Sequence, residues 1–147
     1  MNSIHKSATI DPSKSSTLPS LQAALQMQRS AYLANATPDL KQRKQDLLSL
    51  KALLSDNREA IVDAISADYG NRSTHESLFA EVISVTDGIN DTIKNLKKWM
   101  KVQKRHVDIT MFFGAKNKVI PQPIGVIGLI IPWNFPINLS FMGLAAA

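Results

Sequence analysis

The chain has 147 residues, of which 44% are hydrophobic, and a formal net charge of +5. This length suits one domain with its own core, and the hydrophobic content excludes wholesale disorder. The chain contains no cysteine, which excludes a disulfide framework, a cysteine-ligated zinc site and any reaction in which this chain supplies a thiolate. The net charge raises the question of a nucleic-acid partner without answering it.

Residues 1–20 are predicted to form a disordered tail, because they are rich in serine, contain prolines and show little periodicity. They lack the apolar core of a secretory signal, so a cytoplasmic location is expected. The three histidines are isolated in sequence and show no metal-ligand spacing, so no metal site is predicted.

Residues 21–105 are predicted to form a helical region. A weak first helix covers 21–34, and a second opens with Thr37 as N-cap and runs to about Ser55. An apolar face of the second helix is formed by Leu40, Leu47, Leu50 and Leu54. The pair Asp56 and Glu59 is typical of a capping box and predicts a third helix that stops at Gly70. The core-facing residues of this third helix are predicted to be Ile61, Ala64 and Ile65.

A fourth helix is predicted after Ser73, which forms a second capping pair with Glu76. It has the clearest helical period in the chain, carried by Leu78, Val82, Val85, Ile89, Ile93, Leu96 and Met100. One face near its end is basic, with Lys94, Lys97, Lys98 and Lys101 at three- and four-residue spacing. Such a face could bind phosphate, but a solvated face that complements the helix dipole is favoured, and nucleic acid is not expected as a partner.

Residues 106–122 are predicted to form a β-hairpin, because the period changes to two. Apolar Val107, Ile109 and Met111 alternate with polar residues, a turn is expected at 114–117, and the return strand at 118–121.

Residues 119–147 carry no charge at all. A membrane-spanning helix is not predicted, because the segment is interrupted by Pro121, Pro123, Pro132 and Pro136. A buried strand over 124–131 followed by a helix from about residue 137 fits better. Elements of this kind belong to parallel sheets covered on both faces, so the predicted fold class is α/β.

The sequence PWNFP at 132–136 follows the carboxyl end of that predicted strand. In open α/β sheets ligands collect at this edge, which places Trp133 and Asn134 at a candidate site. The structural alternative is that Asn134 caps the following helix or turn and that Trp133 fills the core. Spacing alone leaves both interpretations open.

The segment PIGVIGLIIPWNFPINLSFMGLAAA, at 123–147, resembles the aldehyde dehydrogenase superfamily. Upstream, four stretches resemble the N-terminal helices of its coniferyl aldehyde dehydrogenase branch, which is related to the class 3-type enzymes: DYG at 68–70, RSTHES at 72–77, AE at 80–81 and KKWM at 97–100. The resemblance covers about residues 21–147. It implies that the hairpin serves oligomerisation in a homodimer, and that residues 123–147 begin a Rossmann-like cofactor domain.

The resemblance further implies NAD(P)-dependent oxidation of an aldehyde to its acid, with a cysteine nucleophile and a glutamate that activates water. Asn134 matches the asparagine that donates a hydrogen bond to the developing oxyanion. The residues that match the wall of the NAD or NADP site are Ile130, Ile131, Pro132 and Trp133. Coniferyl aldehyde, other aromatic aldehydes and fatty aldehydes are the candidate substrates.

In the family pattern the nucleophile, the general base and the glycine-rich cofactor turn lie downstream of the position matched by Ala147. We therefore expect the chain to be an N-terminal fragment of an aldehyde dehydrogenase, with an incomplete version of that fold. We also expect the fragment to be inactive on its own. The alternative is a non-catalytic helical module that binds or assembles through the basic face and the hairpin.

Overall fold

The computed structural model describes residues 20–147, so the tail predicted at 1–20 lies outside the described residues except for Ser20. Helix α1 covers Leu21–Ala34, α2 Leu40–Asp56 and α3 Arg58–Asp68. Helix α4 (Thr74–Ser77) continues through a π-helical segment (Leu78–Ile83) into α5 (Ser84–Trp99). Strands β1 (Gln103–Arg105) and β2 (Asn117–Val119) and helix α6 (Pro136–Ala146) follow. The described part is therefore mostly helical, with one small sheet.

Two helices, α2 and α3, do not begin at their predicted N-cap residues. Asp39, not Thr37, caps α2, and its carboxylate accepts the backbone N–H of Gln42 at 2.7 Å. The predicted capping box is also wrong, because Asp56 is still the last residue of α2 and α3 begins after Asn57 without a side-chain cap.

The stop predicted at Gly70 is confirmed, and it is a full Schellman turn. The N–H of Gly70 donates to Ala67 at 3.3 Å and that of Asn71 to Ser66 at 2.9 Å. Gly70 has φ +68°, a conformation that glycine adopts without a Cβ penalty. The predicted cap at Ser73 is confirmed as well, with its hydroxyl accepting from Glu76 N–H at 3.5 Å. The Schellman turn at Gly70 sets the direction in which the chain leaves α3.

The core lies where α5 packs between α2 and α6. Its fully or nearly buried members are Leu47, Leu54, Val85, Ile89, Leu96 and Ala145. The leucine face of α2 and the apolar stripe of α5 are thereby confirmed. In α3 the buried residues are Val62 and Ile65, whereas the predicted core residue Ala64 is exposed. Helix α1 buries no residue, and its Tyr32 hydroxyl donates to the Pro123 carbonyl at 3.1 Å.

The hairpin exists, but its strands differ from the prediction. β1 and β2 pair antiparallel with Lys104 opposite Lys118, so only the return strand overlaps its predicted position. The expected strand over Val107–Met111 is absent because the Asp108 carboxylate accepts the backbone N–H of Thr110 at 2.9 Å. Such a local turn satisfies the backbone in place of a ladder.

The predicted strand at 124–131 is wrong in this structure, where these residues have no regular conformation. Gly125 has φ +128°, outside the β region, and none of the described residues pairs with the segment. A strand needs a partner for its backbone groups, so apolar composition does not suffice. The α/β class therefore does not appear in residues 20–147.

Helix α6 begins at Pro136, slightly before the predicted start near Asn138. Proline suits this first helical position because its missing N–H would be unpaired there anyway. Among the described residues, no helix combines the length and the apolarity needed to cross a membrane.

Candidate functional site

The PWNFP segment at 132–136 is held through its backbone by residues that follow α3. The Tyr69 hydroxyl donates to the carbonyl of Trp133. Arg72 donates from Nη1 to the carbonyl of Asn134 at 3.2 Å. Because the Schellman turn at Gly70 lies between Tyr69 and Arg72, it determines the backbone positions from which the two side chains extend.

The guanidinium of Arg72 is nearly enclosed, with 7% of the side chain exposed. It forms an ion pair with Glu81 at 3.0 Å and a longer one with the exposed Glu76 at 3.4 Å. Its Cζ lies 5.1 Å from the centre of the Tyr69 ring and 4.8 Å from that of Phe135. These cation–π contacts favour one orientation of the planar group.

Glu81 lies in the π-helical segment and is fully buried. Its Oε1 accepts from Arg72, while Oε2 accepts the backbone N–H groups of Ile137 at 3.1 Å and Asn138 at 2.8 Å. Helix α6 has no side-chain cap of its own. The carboxylate therefore caps α6 from another helix and complements the positive end of its dipole.

Asn138 fixes the first turn of α6 against the same π-helical segment. Its Nδ2 donates to the carbonyl of Ala80 at 2.6 Å and to the hydroxyl of Ser84 at 2.8 Å. The Ser84 hydroxyl also donates to the Ala80 carbonyl, at 2.7 Å. π-Helical turns are rare and often occur at functional sites, and here one carries the residues that hold α6.

The predicted site residues all lie on the exposed side of this anchored segment. Ile130 is fully exposed, Trp133 is 79% exposed, and Ile131, Pro132 and Asn134 are exposed as well. Within residues 20–147 the Asn134 side chain makes no hydrogen bond, and the N-cap of α6 is Phe135. The structural alternative is therefore wrong on both points, because Asn134 does not cap α6 and Trp133 does not fill the core.

Lys94, Lys97 and Lys98 of α5 are solvent-exposed. Lys101, the fourth lysine of the predicted basic face, is exposed too but lies beyond the end of α5 at Trp99. Two of these lysines lie in the last turn of the helix, where cations complement the dipole. Exposure fits both a solvated face and a phosphate-binding face, so the preference for a solvated face stays a prediction.

Comparison with known proteins identifies the family. The model of the aldehyde dehydrogenase family matches residues 3–147. The chain belongs to the aldehyde dehydrogenase family.

Relatives of this aldehyde dehydrogenase chain include a probable coniferyl aldehyde dehydrogenase of Pseudomonas aeruginosa, 42% identical over 127 residues, covering 86% of this chain and 26% of that protein. The coniferyl aldehyde dehydrogenase of a Pseudomonas species is 40% identical, covering 85% of this chain and 25% of the relative. Mouse aldehyde dehydrogenase family 3 member B2 is 31% identical, covering 86% and 26%. The chain thus spans about a quarter of the length of these curated relatives.

Four residues that hold the PWNFP segment or the first turn of α6 in this aldehyde dehydrogenase chain were not predicted to have a role: Tyr69, Arg72, Glu81 and Asn138. One of them has a signal in the sequence. Glu81 lies three residues after Leu78 and four before Val85, so it is an acid on the apolar face of a helix. A buried carboxylate needs a cation and N–H donors, and this position alone indicates that partners approach from elsewhere in the chain.

Proposed function

We propose that this chain is the N-terminal part of an NAD(P)-dependent aldehyde dehydrogenase that oxidises an aldehyde to a carboxylic acid. Coniferyl aldehyde or another aromatic or fatty aldehyde is the proposed substrate. Family membership and two relatives named as coniferyl aldehyde dehydrogenases, at 42% and 40% identity, support the proposal.

The observation that carries the proposal is the contrast within Asn134, whose backbone carbonyl is held by Arg72 while its side chain is exposed. Its amide can donate a hydrogen bond without titrating near neutral pH. An N–H donor fixed in advance stabilises an oxyanion that develops on the substrate. In this role Asn134 donates from Nδ2 to the former aldehyde oxygen when a nucleophile attacks.

The proposed wall of the cofactor site consists of Ile130, Ile131, Pro132 and Trp133. Their exposed apolar side chains suit packing against the flat rings of NAD or NADP, which accepts the hydride when bound. Residues 119–147 carry no charge, so these residues would pack and orient the rings while other parts of the protein bind the phosphates.

The proposal assigns the nucleophile and the general base to sequence outside this chain, since the chain has no cysteine. Residues 123–147 are proposed as the start of an α/β cofactor domain. The exposed side chains of Ile124 and Ile127 are surfaces that the rest of that domain would cover. The 147-residue chain alone is therefore expected to be inactive.

The test uses the protein encoded by the open reading frame that contains this chain, called the full-length protein below. Aldehyde-dependent NAD(P)H formation is measured with coniferyl, benzyl and fatty aldehydes. Asn134→Ala is expected to lower kcat about 10²- to 10³-fold, the usual cost of losing one oxyanion donor. The matched control is Asn95→Ala, because within residues 20–147 the Asn95 side chain hydrogen-bonds only to Asp91 of its own helix. Absence of aldehyde oxidation, or equal effects of both variants, would refute the proposal.

A further inference from the structure

We infer that Arg72 is a positioning residue for Asn134, and that Glu81 fixes the guanidinium that does so. The inference rests on the proposed oxyanion role of Asn134. Arg72 does not reach the Asn134 amide itself. It acts on the peptide that carries the amide, through the carbonyl of the same residue.

The first step is that one nitrogen joins the two partners. Nη1 of Arg72 lies 3.0 Å from Glu81 Oε1 and 3.2 Å from the Asn134 carbonyl oxygen. The guanidinium is oriented by the rings of Tyr69 and Phe135 and is almost closed to solvent. An arginine with few alternative rotamers is a rigid donor, whereas lysine would offer a single flexible ammonium.

The second step is that the backbone is fixed on both sides of Asn134. Before it, the Trp133 carbonyl accepts from the Tyr69 hydroxyl. After it, Glu81 holds two amide groups in the first turn of α6. The Asn134 side chain itself is exposed and forms no hydrogen bond within residues 20–147. A loss of the Arg72 contact should therefore shift the donor without removing it.

The expected kinetic effect is on kcat more than on KM, because the oxyanion forms during the reaction and not in the bound substrate. Arg72→Lys keeps the positive charge beside Glu81 but loses the shared fork. We expect it to lower kcat about ten- to a hundredfold in the full-length protein, since displacements near 1 Å have costs of this order.

A double-mutant cycle separates positioning from a general structural role. If Arg72 acts through Asn134, Arg72→Lys should lower kcat by less than about twofold in the Asn134→Ala background, because coupled residues are not additive. If the two losses multiply, Arg72 acts elsewhere and the inference is overturned. If Asn134→Ala lowers kcat but Arg72→Lys leaves it unchanged, only the positioning role fails. If Asn134→Ala itself has no effect, the proposed function fails with it.

Two further variants guard against misfolding and against a nonspecific charge effect. The pair Arg72→Gln with Glu81→Gln removes both charges together, which avoids an unpaired buried ion. It is expected to show the same kcat loss and the same dependence on Asn134. Glu76→Gln neutralises the exposed carboxylate that pairs with Arg72 at 3.4 Å. Among the described residues the Glu76 side chain forms no hydrogen bond to Asn134 or α6, so this variant should leave kcat unchanged. A loss of kcat in Glu76→Gln equal to that in Arg72→Lys would overturn the inference.

Discussion

The buried carboxylate of Glu81 accepts the backbone N–H of Asn138 at 2.8 Å, across 57 residues of chain. Together with the ion pair to Arg72, this contact joins the N-terminal helices to the segment that carries Asn134. Helix α6 therefore begins where another helix supplies its cap.

Glu81→Ala is expected to lower the free energy of unfolding by about 3–5 kcal/mol, because it leaves the nearly buried Arg72 without its main partner and uncaps α6. The urea midpoint of the full-length protein, followed by circular dichroism, measures the change. Glu76→Ala is the control. Its carboxylate is 58% exposed and bonds to the same arginine, so its loss should cost under about 1 kcal/mol. Equal midpoints for the two variants would contradict this account.

Gly88 in α5 approaches Met142 of α6 closely, since a Cβ at Gly88 would lie 2.6 Å from Met142 Sδ. In the Met142→Ala background, Gly88→Ala should stabilise the protein by about 1 kcal/mol through helix propensity. In the wild-type background the end of the flexible Met142 side chain must move, which should reduce that gain. Urea unfolding of the four proteins in this cycle tests the coupling. Identical effects of Gly88→Ala in both backgrounds would contradict the coupling between Gly88 and Met142.

The loop of the hairpin exposes Ile109, Met111, Phe112 and Phe113. The family resemblance implies that this hairpin serves oligomerisation, and we expect a patch of this kind to be covered by a second copy. Replacing Phe112 and Phe113 with serine is expected to convert the full-length protein from dimer to monomer, as measured by light scattering. Phe79→Ser removes an aromatic ring of similar exposure from the π-helical segment and should leave the dimer intact. A monomeric wild-type protein would rule out this role of the hairpin.

Two hydrogen bonds from Thr110 hold the pKa of the Asp108 carboxyl below its ordinary value of 3.8. The bond from the Thr110 hydroxyl has the larger effect, and the bond from its backbone N–H has the smaller. When the pKa of a carboxyl is lower in the folded than in the unfolded chain, ionisation of that carboxyl stabilises the fold at pH values above the unfolded-state pKa. This contribution is lost as the pH falls through the folded-state pKa. Thr110→Val should raise the pKa of Asp108 towards 3.8, whereas Thr110→Ser, which keeps the hydroxyl, should not. Carboxyl carbon shifts followed by NMR titration measure both values, and equal pKa values in the two variants would contradict the assignment.

Local patterns in the sequence predict much of the helical structure. The apolar stripe from Leu78 to Met100 has the period of one side of a helix, and this side faces the core. Neither the π-helical segment nor Gly88 changes which side of the helix is buried. The stop at Gly70 follows from the left-handed conformation that glycine allows. In α3 the pattern is short, and the buried face is turned towards Val62.

Elements that depend on distant partners could not be predicted in this way. Residues 124–131 have the composition of a buried strand, but a strand forms only where another strand accepts its hydrogen bonds. In the candidate site, Asn134 and Trp133 were selected from one short motif after a strand that is absent here, and their roles stay predictions. The contact of Arg72 with that motif spans 62 residues, and the contact of Glu81 with Asn138 in the first turn of α6 spans 57. No periodicity in the sequence identifies the partners of such contacts.

Because α6 is capped by Glu81 from a distant helix, its first turn depends on a long-range contact during folding. The turn at Gly70 uses neighbouring residues and can form at once, whereas the contact between Glu81 and Asn138 must first close a loop of 57 residues. The helices therefore serve as a template, and the PWNFP segment is expected to become ordered last. A chain with poorly packed helices would then also lack a fixed Asn134, so catalytic competence would report on the folding of a region that contributes no reacting group.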